Sequence, residues 1–368
     1  MDKIGKGLQF IQHKFAKKSY TPINTLDPNE QAAEKMRRSR SDGQYLRPLE
    51  PHSAHSDTIN SLIVMRAGMV ISGGNDGLVV LTNTDHGDIN QVCHNTSPIN
   101  KLCWRNIVGK HSVLTANRDK TLSLLMFCED GPSHTPRAIY QGHFLPVTGV
   151  VNLTESQFMS GSRDCTVRLW DVNTTQEIRN ESRNRNLVTH MAYSSGKNLV
   201  AQTSEDKSLK LWDPRIMQEA IDFGRKSHIH MYCEFSGENR IFSCTNGFNN
   251  DVRGHEGNVN SLAVVQMDGH RKLLASVSSD KHIRLWKIED NGEDVLRPLW
   301  QQEVELESDN LQVCSYPDGH IIVSGGRGRL IHYQAKLAAQ RVLLDVHLLQ
   351  KPNMSTENRV SANLPKTN

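Results

Sequence analysis

Two things are scarce in this 368-residue chain: net charge and extended apolar stretches. Its 43 Lys and Arg face 40 Asp and Glu, a formal net charge of +3, too weak a field to draw the whole molecule onto nucleic acid. No apolar stretch approaches the ~18 residues of a membrane-spanning helix. The first 20 residues are basic throughout and hold no apolar signal core, which argues against secretion. The seven cysteines (Cys93, Cys103, Cys128, Cys165, Cys233, Cys244 and Cys314) are odd in number and form no Cys-x-x-Cys pair. That usage fits reduced thiols inside a cell better than a disulfide framework. Catalytic signatures are missing as well: there is no Gly-x-Ser-x-Gly elbow, no His-Glu-x-x-His and no Gly-x-x-x-x-Gly-Lys phosphate loop. His228-Ile-His230 alternates as in a strand, without a third ligand at recognisable spacing. The expectation is a protein that is not an enzyme and has no catalytic residues, cofactor or metal.

What the chain does have is a repeat. The stretch Ser160-Gly-Ser-Arg-Asp-Cys-Thr-Val-Arg-Leu-Trp-Asp171 returns as Thr203-Ser-Glu-Asp-Lys-Ser-Leu-Lys-Leu-Trp-Asp213 and as Ser278-Ser-Asp-Lys-His-Ile-Arg-Leu-Trp286. Each copy reads as strand, tight turn on Asp, strand. The turn aspartates Asp76, Asp119, Asp164, Asp206 and Asp280 are spaced by 43, 45, 42 and 74 residues, and the first three gaps match a propeller-blade period of roughly 40–45. Six residues beyond them lie Thr82, Leu125, Trp170, Trp212 and Trp286. A worn copy, Gly325 to Tyr333, has Arg327 for the Asp and Tyr333 for the Trp.

The gap of 74 is too long for one period and too short for two. Met231–Phe235 and Arg240–Thr245 read as the first two strands of a fifth repeat, whose turn falls near Asn246-Gly247. Asn250 then runs almost directly into Gly254-His255, which opens the next repeat, so about one strand and a turn are missing. The count is seven repeats, the fifth incomplete. For the strand that closes the last one, Tyr45–Leu49 is favoured over Arg341–His347, because it sits where every other outer strand sits relative to the next His.

Gly-His, turn Asp and Leu-Trp-Asp recurring in this order and period resemble the WD-repeat family, over about residues 45–345. The resemblance implies an all-β fold: a single seven-bladed β-propeller over 45–348, its fifth blade incomplete. A basic, mostly disordered arm and linker (1–44) would precede it and a disordered tail (349–368) would come after. It also implies buried tetrads, His143, Asp164 and Trp170 with Ser160 or Ser162, and His255, Asp280 and Trp286 with Ser276 or Ser278. These residues would then be internal struts. A narrower likeness, to one subgroup of the family, runs through Asn186–His190, Gln202–Lys207 and Ser243–Phe248. Members of that subgroup are associated with cilia and with regulators of small GTPases. That likeness implies a cytoplasmic scaffold in ciliary trafficking, binding proteins on its faces, not nucleic acid, as a monomer.

Two surface features suggest contacts. Arg179, Arg183 and Arg185 crowd one loop between repeats, and Arg is enriched at interface hot spots. Trp212-Asp-Pro-Arg215 matches the Trp-Asp-x-Arg pattern of WD-repeat substrate receptors for cullin–RING ubiquitin ligases, the alternative function. In residues 1–20, Ile4, Leu8, Ile11 and Phe15 form a helical apolar stripe flanked by lysines, while Gly5 and Gly7 weaken it. That arm is read as solvated, with at most weak peripheral membrane contact.

Overall fold

The computed structural model describes residues 9–12 and 55–348, except 86, 108–109, 129–130, 133–135, 183, 238–239, 247–253, 268–270, 289–295, 305–309 and 339–340. The fold is built from antiparallel sheets whose strands follow chain order from the centre outwards. The third repeat shows the plan, with strands Val147–Asn152, Gln157–Ser162, Val167–Asp171 and Glu177–Glu181. Residues on the second and third strands are buried almost without break, because both faces of each sheet pack on neighbouring sheets.

Six of these sheets are complete blades of four or more strands. The expected count of seven is corrected at the fifth repeat. There, among the described residues, the repeat supplies only His230–Phe235 and Arg240–Thr245, and the sheet's third strand is Gln9–Gln12, paired parallel with Arg240–Ser243. The physical reason is length: the chain reaches the sixth repeat before an outer hairpin can form. For residues 9–12 the strand also replaces the expected helical stripe; Ile4, Leu8 and Phe15 lie outside the described residues.

The remnant still completes the ring, because the packing that matters is on the inner strands. Seven apolar layers separate successive repeats. Phe158 and Trp170 meet Leu114 and Leu124 of the second repeat, Trp212 meets Met159 and Leu169 of the third, and Trp286 meets Phe242 and Cys244 of the remnant. Leu62, Val70, Cys314, Tyr316 and Ile322 join the last repeat to the first. A second device works at the channel wall. Each of the first six inner strands carries a bulge near its start, at Asn60, Asn100, Thr148, Thr189, Met231 and Asn260. A bulge re-aims its side chain, and here the side chain turns to the next blade. Asn60 donates to Ile99 O at 2.8 Å, Asn100 to Val147 O at 2.8 Å, Thr148 to Val188 O at 2.6 Å and Thr189 to His230 O at 2.6 Å. At the remnant the same position is Met231, which has no donor to give. Gly161 marks how closely the third and fourth blades approach, since a Cβ there would stand 2.6 Å from Val188 Cγ1.

The last blade corrects a further expectation. Its strands are Gln312–Tyr316, His320–Ser324, Leu330–Ala338 and Arg341–Leu348. The closing strand is therefore the C-terminal candidate, joined by a tight hairpin whose loop entropy is far smaller than that of a return from residue 49. Tyr45–Leu49 lies outside the described residues.

Candidate interaction surface

The turn aspartates share one geometry. In Asp76, Asp119, Asp164, Asp206 and Asp280 one carboxylate oxygen accepts the backbone N–H two residues on, at 3.0, 3.1, 3.0, 2.9 and 3.0 Å. The residue between is left-handed: Gly77, Lys120, Cys165, Lys207 and Lys281 all have φ between 62° and 76°. The Asp side chain stabilises that turn locally.

In the third repeat the same carboxylate reaches inward. His143 Nδ1 lies 2.8 Å from Asp164, His143 Nε2 lies 2.8 Å from Ser160 Oγ, and Trp170 Nε1 donates to Ser160 Oγ at 2.8 Å. The sixth repeat repeats it with His255, Asp280, Ser276 and Trp286 at 2.9, 2.7 and 2.9 Å. Of the paired serine candidates, Ser160 and Ser276 take the central place, while Ser162 and Ser278 cap the turn amides of Asp164 and Asp280. Burial raises the Asp164 and Asp280 carboxyls, but hydrogen bonds from the paired histidine, and its charge, outweigh it. Both are held well below the usual carboxylate range. These His–Asp pairs are consumed by structure.

Two variants escaped sequence reading. In the first repeat His55 joins Asp76 at 3.0 Å and Ser72 at 2.9 Å, without a tryptophan. Its separation of 21 residues from Asp76 equals that of His143 from Asp164, which was the available signal. In the fourth repeat Asn184 and Gln202 replace His and Ser: Gln202 donates to Asn184 at 2.7 Å and accepts from Trp212 Nε1 at 2.7 Å. The polar pattern survives in amide chemistry.

The channel holds a further group. Lys101 of the second inner strand places its ammonium 4.4 Å from the Tyr232 ring centroid on the remnant, and His190 stacks on the same ring, 3.7 Å between centroids. Those two inner strands are not neighbours in the ring, so the contact crosses the channel. Burial pushes the Glu234 carboxyl up to about 7, against the pull of Lys101, and pushes the Lys101 amine down to about 8. Among the described residues no three His, Cys, Asp or Glu gather as a metal site.

The surface candidates disperse. Arg179 is exposed on the outer strand of the third blade and donates to Ile216 O at 2.9 Å. Arg185 is exposed, its backbone N–H bonded to Asp206 at 3.2 Å. Arg183 lies outside the described residues. Trp212 is fully buried, which corrects its place among partner contacts, since its indole fills the layer between third and fourth blades. Arg215 closes back on Asp213 through Nε at 2.9 Å and Nη2 at 2.6 Å, so the Trp-Asp-x-Arg pattern has a local structural use.

A different pair stands out. Phe144 is 73% exposed and Leu145 is 46% exposed, on the loop directly after the buried His143. The Arg168 guanidinium lies over the Phe144 ring, 5.7 Å from its centroid, and is ion-paired to Glu177. Contacts through Ser162 to Leu145 O, Arg163 N–H to Pro146 O and Asn184 to Cys165 O tie this loop to the turns that carry exposed Arg163 and Arg185. The result is an apolar knob beside two arginines on one face. The signal was in the sequence: Gly-His-Phe-Leu-Pro puts two large apolar residues where the sixth repeat has Glu256-Gly257.

Blades and struts together define an all-β propeller. Residues 134–171, 176–213 and 243–287 match the family described as WD domain, G-beta repeat. Ribosome biogenesis protein YTM1 of Meyerozyma guilliermondii is 24% identical over 250 residues, covering 67% of this chain and 45% of the relative. The ribosome biogenesis protein WDR12 homolog of Culex quinquefasciatus is 21% identical over 211 residues, covering 57% and 41%. The chain thus spans less than half the length of these curated relatives. Among solved structures, the WD40 beta propeller domain of Doa1 superposes with a TM-score of 0.60 at 20% identity, over 78% of this chain and 96% of that one, a likeness of fold alone. The narrower sequence likeness, which points to WD repeat-containing protein 31, gains no support from these relatives.

Proposed function

We propose that this chain is a non-catalytic scaffold that docks a partner protein in the cytoplasm, on the face shared by the third and fourth blades. One observation carries the reading: Phe144 and Leu145 are large apolar side chains held in solvent on a strutted loop, flanked by Arg163 and Arg185. Aromatic and arginine side chains on a rigid base are the composition of interface hot spots. Proximity labelling with the wild-type chain and with Phe144→Ser/Leu145→Ser, expressed at equal level, tests it. The double variant should lose a discrete set of neighbours; an unchanged set refutes this face.

A second reading comes from the relatives' names. A scaffold of pre-ribosomal particles would co-sediment with them on sucrose gradients and leave them after RNase treatment; a chain found only at the top of the gradient rules this out. The ciliary and small-GTPase reading rests on sequence resemblance alone, and a tagged copy absent from cilia retires it. The ligase reading is weakened because Arg215 is occupied by Asp213; it requires Arg215→Ala to abolish recovery of the ligase adaptor.

A further inference from the structure

On the opposite face, between the second and third blades, lies a cleft of about 590 Å³. Its floor holds Arg105, at the end of the second inner strand, 1% exposed. One of its nitrogens, Nη2, donates to Glu155 O at 2.7 Å, while the buried Nε has no partner. A buried guanidinium with an unsatisfied donor is costly, and the fold does not ask for it. Six residues after the start of the other bulged inner strands stand Met65, Leu153, Ser194, Ser236 and Val265, none of them charged.

The surroundings say what would satisfy it. Arg137 lines the same cleft and is exposed, so among the described lining residues two guanidinium groups face one carboxylate, the exposed Glu155. Leu124, Met126 and Val172 supply an apolar wall. The space exceeds what a bare anion fills and accommodates an acidic side chain together with an apolar neighbour. We propose that this cleft receives a carboxylate side chain of a partner polypeptide, with Arg105 as its anchor. Arg suits this use because its planar fork meets a carboxylate with two parallel donors. The inference rests on the scaffold reading for the nature of the ligand, but not on the Phe144 face, which lies at the other end of the blades.

The test observes Arg105 directly. In the full chain labelled with ¹⁵N-arginine, the Nε–H resonance lost in Arg105→Lys is assigned to Arg105. It is then followed during titration with acetyl-Leu-Glu-Leu-amide, its glutamine twin, sodium acetate and inorganic phosphate. The expected result is a saturable shift with the glutamate peptide, at least ten-fold weaker with the glutamine twin and with acetate or phosphate. Arg137→Gln should weaken the glutamate peptide several-fold without moving the melting temperature. No saturable shift with any probe, equal binding of the two peptides, or free anions binding as tightly as the peptide overturns the proposal. Any of these outcomes leaves the Phe144 labelling experiment standing.

Discussion

Replacing Ser160 by alanine should be among the most damaging single-atom deletions in the molecule. Its hydroxyl is fully buried and serves two partners at once, His143 Nε2 at 2.8 Å and the Trp170 indole N–H at 2.8 Å. Removing the oxygen admits no water, so both ring nitrogens are left buried and unsatisfied, at about 1–3 kcal/mol each. The expected loss is therefore about 2–6 kcal/mol, out of the ~5–15 kcal/mol typical of a domain. Ser162→Ala is the control. That hydroxyl is buried too, but it bonds to Leu145 O or Pro146 O, at 2.9 and 3.0 Å, and to the Asp164 amide; its loss strands no ring nitrogen, and Pro146 O keeps the Arg163 amide as a partner. About 1 kcal/mol is expected there. Urea denaturation of both variants and wild type, fitted with a common slope, gives the comparison. A Ser160→Ala chain no less stable than Ser162→Ala refutes the strut assignment.

Acid should act through the same struts. Asp164 and Asp280 are held below their unfolded values, so the unfolded chain takes up protons first. The stability they confer is complete above about pH 4 and is lost as pH falls through their folded values. Asp164→Asn should flatten that acid limb in urea titrations, and an unchanged limb would contradict the linkage. His230 is pushed down to about 4, first by burial and then by the Lys226 charge, from an ordinary 6.5. Its contribution is intact above pH 6.5 and lost between there and 4, by about 3 kcal/mol; His230→Gln should remove this slope, and persistence of the slope would clear His230 of it. Deleting residues 1–20 uncovers the edge of Arg240–Thr245, whose pairing with Gln9–Gln12 is the cover such an edge needs. Hydrogen exchange at Arg240–Ser243 should accelerate at least ten-fold on deletion; no change means the edge is protected otherwise.

Phase was the part of the structure that sequence expressed best. The spacing of Asp76, Asp119, Asp164 and Asp206 is set by four strands and their turns, and a tight Asp turn cannot drift without breaking its own amide bond. The break in that spacing also placed the shortfall of the fifth repeat between Thr245 and Gly254. Partners of the struts were less visible, because Asn184 with Gln202 performs in amides what His143 with Ser160 performs in imidazole and hydroxyl. Chain closure was misassigned because both candidate strands fit the hydrophobic pattern, and only the short hairpin before Arg341 separates them. The strand at Gln9–Gln12 was hidden for another reason: its pairing depends on a vacancy some 230 residues away, and local periodicity read helix. Arg105 and Phe144 were missed because burial and exposure depend on neighbouring blades, which a single repeat does not carry.

The proposed scaffold has two parts, struts that hold it up and a face that docks a partner. Melting temperature and proximity labelling, measured together for Asp164→Asn and for Phe144→Ser/Leu145→Ser, separate them. The strut variant should melt several degrees lower, while the face variant should melt as wild type yet lose its labelled neighbours. A face variant that keeps those neighbours, or a strut variant that melts unchanged, would undo the division.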